Sequence, residues 1–376
     1  MADSEPLRLV FAGGGTGGHL YPALALAEAF ARQWPQVQTL FIGSAHGLES
    51  RVVPPLGHRL ELIPVRGLLR KLTWSNLLVP VYLLQSVQRC RRLFRQFQPH
   101  LVIGTGGYVS GPALLAAWLR GTKFVIQEQN NYPGLVNRLL GRRAHAVFLS
   151  FEESRKYFPR QERVYVVGNP VRRQLRERTP SLRAAAARAW QLDAALTTLL
   201  VFGGSQGARR INQVMAELLP QLTGIDGLQV LWATGPAHFE QLAPLAAHTP
   251  RLRLVPYIED MSLAYALADF VLCRAGASTI FELAACGLPA VLIPFPFATA
   301  DHQTFNARAM VQAGAAVMIP ERELRMETLL QTLRTLALDA GRRAEMAAAA
   351  RRMARPHAAD DIVALCLQLL QSAPAA

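Results

Sequence analysis

Val10–His19 reads VFAGGGTGGH, and Val201–Arg210 reads VFGGSQGARR. In each, an apolar run stops at clustered glycines and gives way to helical apolar spacing, which is a strand, a tight turn and a helix. Glycine permits positive φ and lets a ligand approach the peptide groups. The N–H groups at the start of the following helix have no intrahelical partner and face whatever anion sits there. Such a turn also serves as a plain tight connection, and for one copy the two readings balance. Two copies, opening two similar halves, favour a pair of anion-receptive turns.

Outward from the first copy, LRLVFA is followed by a helix from Pro22 to Gln33, then TLFIG, a long helical stretch near 76–97, HLVIGTG, a helix from Pro112, and KFVIQEQ. After VYVVGNPV at 164–171 comes an arginine-rich polar segment. TTLLVFGG then opens a second series, continued by LQVLWATG, LRLVPYI, ADFVLCRAG, PAVLIPF and AAVMIP. The alternation predicts α/β architecture with parallel sheets and a domain boundary within 170–196. Ligands of open parallel sheets sit at the carboxyl ends of the strands, so two such domains facing each other would enclose a cleft.

A chain of 376 residues, 51% hydrophobic, can bury more than one core. No apolar run reaches the roughly 18 residues of a membrane span, and MADSEPLRLV does not read as a signal peptide. Cys90, Cys273, Cys286 and Cys366 lie far apart in no metal-type spacing, which predicts buried thiols in a reduced, cytoplasmic protein. The net charge of +14 suits nucleic acid, an anionic membrane face or phosphorylated substrates alike. No nucleic-acid module is present, so no nucleic-acid partner is expected.

Gly13, Gly15 and Gly18 satisfy G-x-G-x-x-G, which raises the rival class of nicotinamide and flavin enzymes. A dinucleotide site also wants an acidic residue at the tip of the second strand. Here TLFIG ends in Gly43-Ser44, and Glu49 lies beyond a further loop. Neither turn carries the Gly-Lys-Ser/Thr of a Walker A loop. The reading is neither a hydride carrier nor an ATPase, and no cofactor is expected.

The most informative segment is CRAGASTIFELAACGLPAVLIPFPFATADHQTFNA, Cys273–Ala307. A strand ends at Cys273 and a helix begins near Ser278 or Thr279, where a pyrophosphate would meet free N–H groups and the positive end of the dipole. One turn on, Glu282 would accept hydroxyl hydrogens from a ribose. Thr279-Ile280-Phe281-Glu282 is equally a capping box, T-x-x-E, and the local pattern by itself favours the cap.

GGTGGH (14–19), GTGGYVSGP (104–112), EQNNYPGLVN (128–137), VGNPVR (167–172), GGSQGAR (203–209), RAGAST with Glu282, and DHQTFNA (301–307) together resemble the MurG family. These are bacterial transferases that add N-acetylglucosamine to undecaprenyl-pyrophosphoryl-muramoyl-pentapeptide, turning lipid I into lipid II in peptidoglycan synthesis. The resemblance covers nearly the whole chain. It implies a GT-B fold, two Rossmann-like α/β domains facing a cleft, with an inverting mechanism and no obligatory metal at the reaction centre. The expected division is an acceptor- and membrane-facing domain at 1–170, a UDP-sugar-binding domain at 171–355, and a C-terminal helix at 356–376 returning to the first.

By the same resemblance, Ser205 and Arg172 would meet the nucleotide diphosphate and Ile258 would present its backbone to uracil. Ala277, Ser278, Thr279, Ile280, Phe281 and Glu282 would hold phosphate and ribose, with Glu282 on the diol and Gln303 on the sugar. Thr16, Gly17 and Gly18 would line the cleft, and Asn130 would reach the donor sugar. The partners implied are UDP-N-acetylglucosamine, lipid I and the anionic cytoplasmic face of the bacterial inner membrane, held peripherally. A second transferase of the same fold, acting on another glycolipid or small aglycone, and a non-enzymatic basic binding protein are the competing readings.

Inverting transfer needs a base for the acceptor hydroxyl. His19, closing the first glycine loop, is the candidate, since histidine's reference pKa of about 6.5 suits the task; bracing the loop is its other reading. Glu128 is the alternative base, or a buried carboxylate satisfied by backbone donors. Asp301-His302 reads as a loop-shaping pair, and the histidines give no metal-ligand pattern. Finally, 66–95 reads RGLLRKLTWSNLLVPVYLLQSVQRCRRLFR, where Leu68, Leu69, Leu72, Trp74, Leu77, Leu78, Val81 and Tyr82 lie among Arg66, Arg70 and Lys71. That is an interfacial surface with basic groups toward lipid phosphates, or the core face of a helix.

Overall fold

The computed structural model describes residues 6–65, 79–204, 206–247 and 249–371. The chain divides into two compact units, residues 1–172 with 355–376, and residues 173–354.

The first unit is built on a seven-stranded parallel sheet. Its strands are β1 (Arg8–Gly13), β2 (Gln38–Gly43), β3 (Arg59–Leu62), β4 (Leu101–Gly106), β5 (Phe124–Glu128), β6 (Ala146–Leu149) and β7 (Val164–Val166), in the order β3-β2-β1-β4-β5-β6-β7. β1 reads apolar without alternation because both its faces are covered. Leu9 and Phe11 point to one side, with Phe41 stacked on Phe11 at 5.1 Å, and pack under the helix Gly17–Gln33. Val10 and Ala12 point to the other, toward the helices Val79–Phe97 and Ser110–Arg120. Each fully buried Phe or Leu in these layers contributes roughly 1.5–3 kcal/mol.

The helix Ala358–Gln371 joins the first of these layers through Ile362, Val363 and Cys366, all buried. Arg32 pairs with Asp360 at 2.8 Å, and the Lys123 ammonium donates to the Leu369 carbonyl at 2.6 Å. Gly168, at φ +92°, leaves the space that the Arg355 side chain fills as the chain returns.

The second unit repeats the plan with six parallel strands: β8 (Thr197–Phe202), β9 (Leu228–Ala233), β10 (Leu252–Val255), β11 (Phe270–Cys273), β12 (Ala290–Leu292) and β13 (Ala316–Met318), ordered β10-β9-β8-β11-β12-β13. Leu199, Val201, Val230, Trp232 and Leu272 pack against Ile211, Met215 and Leu218 of the helix Arg209–Thr223. In each sheet the strand order reverses once, between β1 and β4 and between β8 and β11, and the carboxyl ends of those neighbours are where open α/β sheets bind ligands.

β3 and β6 escape the sequence reading: β3 is an edge strand with no buried residue, and β6 has only four. All four cysteines are free and buried. Among the described residues no helix is long and apolar enough to cross a membrane.

Candidate active site

The first helix begins at Gly17, five residues before the Pro22 that local rules select as its start. The glycine loop itself curls into the first turn, where the N–H groups of His19 and Leu20 both donate to the Thr16 carbonyl at 3.2 Å. Thr16 is the N-cap residue with extended backbone, and its side chain caps nothing. His19 is therefore a helical residue whose ring is fixed from the neighbouring strand. Its Nδ1 lies 3.1 Å from the Thr105 carbonyl and 3.1 Å from Oε1 of Gln129. Both are acceptors, since the Gln129 amide nitrogen is spent on the Thr105 carbonyl at 2.7 Å and on Gln127. These partners assign the proton to Nδ1 and leave the Nε2 lone pair as the basic site of the neutral ring.

Gly106 and Gly107 make room for this ring. A Cβ on Gly106, at φ +102°, would fall 2.7 Å from His19 Nδ1, and one on Gly107 would fall 2.5 Å from the Gly14 carbonyl oxygen. Thr105 Oγ1 closes the arrangement by donating to the His19 carbonyl at 2.7 Å.

Glu49 changes the reading of the first loop. Its carboxylate is buried and accepts from the N–H of Gly15 at 2.8 Å, the N–H of Ser44 at 2.7 Å and the Ser44 hydroxyl at 2.9 Å. A Cβ on Gly14, Gly43 or Gly47 would strike this side chain. The arch of Gly13–Gly15 thus closes on a carboxylate of the protein's own, just ahead of Thr16, Gly17 and Gly18, where the helix opens. An acidic residue just past β2 was the available signal, and its distance along the chain concealed it.

Glu128, at the end of β5, is also buried and has both oxygens filled. Oε1 accepts from the Asn130 N–H at 2.9 Å and its amide at 3.3 Å, and Oε2 from the Gly134 N–H at 3.0 Å and the Asn137 amide at 2.8 Å. It orders the loop that carries Asn130 and has no open oxygen for a substrate proton. Arg172 ends the first segment of this unit, its guanidinium over the Tyr21 ring at 4.8 Å. Nearby, burial pushes the Glu28 carboxyl up, against the opposing pull of Arg172 and Arg32.

In the second unit the decisive turn follows β11. The helix runs Ala277–Cys286 with Gly276 as N-cap, so it starts before Ser278, and the N-cap has no side chain to offer the first-turn N–H groups. Thr279 sits inside the first turn rather than at the cap, which removes the capping box. Glu282 instead accepts a 2.8 Å hydrogen bond from the Tyr265 hydroxyl. Arg274 is committed elsewhere: it pairs with Glu321, donates to the Ile293 and Pro294 carbonyls at 3.1 and 3.2 Å, and covers Phe295. An anion at this turn would meet backbone N–H groups and not a guanidinium of the loop.

Gln303 lies beside it. Its Oε1 accepts from the N–H groups of Ala275 at 3.2 Å and Phe295 at 2.9 Å, which turns the amide NH2 away from the loop. Two non-glycine residues at positive φ, Ala300 (51°) and Asp301 (53°), bend the chain immediately before it, and Asp301 accepts from the Thr304 hydroxyl at 2.6 Å. Such backbone persists where the surroundings over-determine it, commonly at functional sites. Ile258 is buried, and among the described residues no hydrogen bond engages its N–H or C=O. Ser205 lies outside the described residues. No group of three metal-ligating side chains occurs among those described.

Two parallel-sheet units, each with a helix opening at its switch point, are the architecture expected of a two-domain GT-B glycosyltransferase. The family model of the glycosyltransferase family 28 N-terminal domain matches residues 9–149, and that of its C-terminal domain matches residues 198–362. The chain belongs to this family and, within it, to the MurG family. It is 44% identical over 370 residues, 97% of this chain and all of the relative, to the UDP-N-acetylglucosamine–N-acetylmuramyl-(pentapeptide) pyrophosphoryl-undecaprenol N-acetylglucosamine transferase of Chlorobaculum tepidum. The transferase of the same name from Chlorobium luteolum is 45% identical over 94% of this chain and 96% of its own. The crystal structure of Acinetobacter baumannii MurG is similar with a TM-score of 0.72 at 32% identity, covering 96% of this chain and all of that one.

Proposed function

We propose that the protein transfers N-acetylglucosamine from UDP-N-acetylglucosamine to the undecaprenyl-pyrophosphoryl N-acetylmuramyl-pentapeptide, with inversion at the anomeric carbon. The observation that carries this is the 44% identity, over 97% of the chain, to a transferase of that name. His19 is the base: Nε2 takes the proton of the acceptor hydroxyl as its oxygen bonds to the anomeric carbon and the bond from that carbon to UDP breaks. The ring geometry supports His19 over Glu128, because Nδ1 is held by acceptors while the Glu128 oxygens are full. The donor is bound by the second unit. First-turn N–H groups of 277–286 offset the charge on the departing diphosphate, Glu282 reads the ribose, Ile258 offers its backbone to uracil and Gln303 turns its amide to the sugar. Arg172, Ser205 and Asn130 complete the donor contacts.

Attachment to the anionic cytoplasmic face of the inner membrane belongs to the same proposal. Its first support, Leu68, Leu69 and Trp74, lies outside the described residues. A second comes from three packed helices of the first unit, Val79–Phe97, Ser110–Arg120 and Leu135–Gly141. They expose Val81, Leu84, Trp118, Leu119, Leu135 and Leu139, with Leu84 and Leu139 at 60 and 61% exposure, among Arg91, Arg92, Arg120 and Arg142.

Two measurements test the proposal. Purified protein with UDP-N-acetylglucosamine and lipid I is expected to yield the disaccharide lipid with the new linkage inverted relative to the donor. Saturable UDP-N-acetylglucosamine binding without sugar transfer to lipid I would refute it. Changing Leu84, Trp118 and Leu139 to serine is expected to lower binding to anionic vesicles while sparing turnover of a short-chain soluble acceptor. Unchanged vesicle binding removes this surface from the proposal.

A further inference from the structure

Tyr265 is a fully buried residue in the helix Met261–Leu267 and belongs to none of the sequence motifs. A buried phenol needs a hydrogen-bond partner, and this one donates to Oε2 of Glu282 at 2.8 Å. Burial and the adjacent Glu282 charge push the Tyr265 hydroxyl well above its ordinary value, so it keeps its proton and remains the donor. Phe202, at the end of β8, meets the Tyr265 ring edge-on at 6.3 Å and helps fix it. Glu282 itself is only partly buried. One oxygen is anchored inward, and the carboxylate is held at a set angle one turn into the helix that begins at Gly276.

We infer that Tyr265 is a positioning residue that orients the Glu282 carboxylate for recognition of a vicinal diol, the ribose of a nucleoside diphosphate. This rests on the reading of Glu282 as the ribose contact. A free glutamate would lose side-chain freedom on binding the diol, whereas one tied to a buried phenol has lost it on folding. Phe at 265 would keep the ring and its packing and leave no orphaned polar atom at that position, so Tyr265→Phe isolates the tether.

The test is calorimetric titration of the whole protein with UDP and with 2′,3′-dideoxyuridine diphosphate, for wild type, Tyr265→Phe, Glu282→Gln and the double variant, with melting temperatures for each. Tyr265→Phe leaves the Glu282 side chain to be ordered on binding, so it is expected to weaken UDP about 2- to 10-fold and leave the dideoxy compound unchanged. The double variant is expected to bind UDP no more weakly than Glu282→Gln. Equal loss for both nucleotides would make Tyr265 merely structural and overturn the inference. So would undiminished UDP affinity in Tyr265→Phe while Glu282→Gln loses it. If Glu282→Gln itself binds UDP like wild type, the ribose reading has failed and the tether has no role to serve.

Discussion

The turn after β1 in one unit and the turn after β11 in the other both lie where strand order reverses, on opposite sides of that reversal, and they offer a ligand different groups. The first has three consecutive glycines and is filled from behind by Glu49, which takes the Gly15 N–H. What it presents is a side chain, His19, clamped between Thr105 and Gln129. The second has a single glycine, Gly276, no side-chain cap, and a loop arginine already neutralised by Glu321. What it presents is backbone. Glycine content is therefore a poor measure of anion binding: glycines admit either a ligand or the protein's own side chain, and tertiary packing decides which. A histidine held rigidly in one unit and an uncapped helix in the other are the groups to which the proposed transfer assigns its two jobs, proton removal and leaving-group stabilisation.

The largest expected effect breaks this division at its first half. His19→Ala should lower turnover by a factor on the order of 10² to 10⁴ with UDP affinity nearly intact, and the loss should shrink at higher pH as the acceptor hydroxyl needs less help. Turnover against pH, with UDP titration alongside, reads this directly. A parallel fall in UDP affinity would mean the two turns do not divide the work.

Glu49→Ala probes the filled arch. It removes the shared acceptor of the Gly15 and Ser44 N–H groups; Gly15 is exposed and Ser44 half-buried, so water takes up part of a loss that for hydrogen bonds to a charged group is about 1.5–3 kcal/mol, and thermal unfolding should shift modestly downward. Displacement of the loop bearing His19 should cut turnover roughly 10- to 100-fold, with UDP affinity again unchanged. A variant as active and as stable as wild type would show that the arch stands without its internal anion.

The smallest effect is a difference in acid sensitivity. His58 and His145, both in the first unit, are held below the ordinary value of 6.5, in each case chiefly by burial. Their neutral forms fold more readily than their charged forms. The stability they contribute is thus complete above 6.5 and is lost as the pH falls from there toward their lowered values. Glu28 in the same unit runs the other way: its raised carboxyl stabilises below 4.5 and loses that contribution as pH rises through its shifted value. In the second unit Cys286 is pushed up to about 12, and Cys273 and Tyr265 are raised as well, all away from this range. Melting temperature followed from pH 7.5 to about 5.5 should therefore fall a few degrees more for wild type than for His58→Asn/His145→Asn. Parallel curves would locate the acid response elsewhere.

The amino-acid sequence by itself determined the two-fold βα plan. Runs such as LRLVFA and TTLLVFGG are apolar on both faces and bounded by glycine, and period and punctuation are local properties. It also determined which motifs to watch, because GGTGGH, RAGAST and DHQTFNA are contiguous. Only the tertiary structure decided what those motifs offer. Glu49 reaches Gly15 across 34 residues, Thr105 reaches His19 across 86, and Tyr265 reaches Glu282 across 17. T-x-x-E at 279–282 is a sound capping pattern by local rules, yet the strand ending at Cys273 starts the helix at Ala277 and hands Glu282 to a phenol from another helix. Hydrogen bonds between distant segments leave no periodic trace in a chain, since loop closure constrains where two residues meet and not how many residues lie between them.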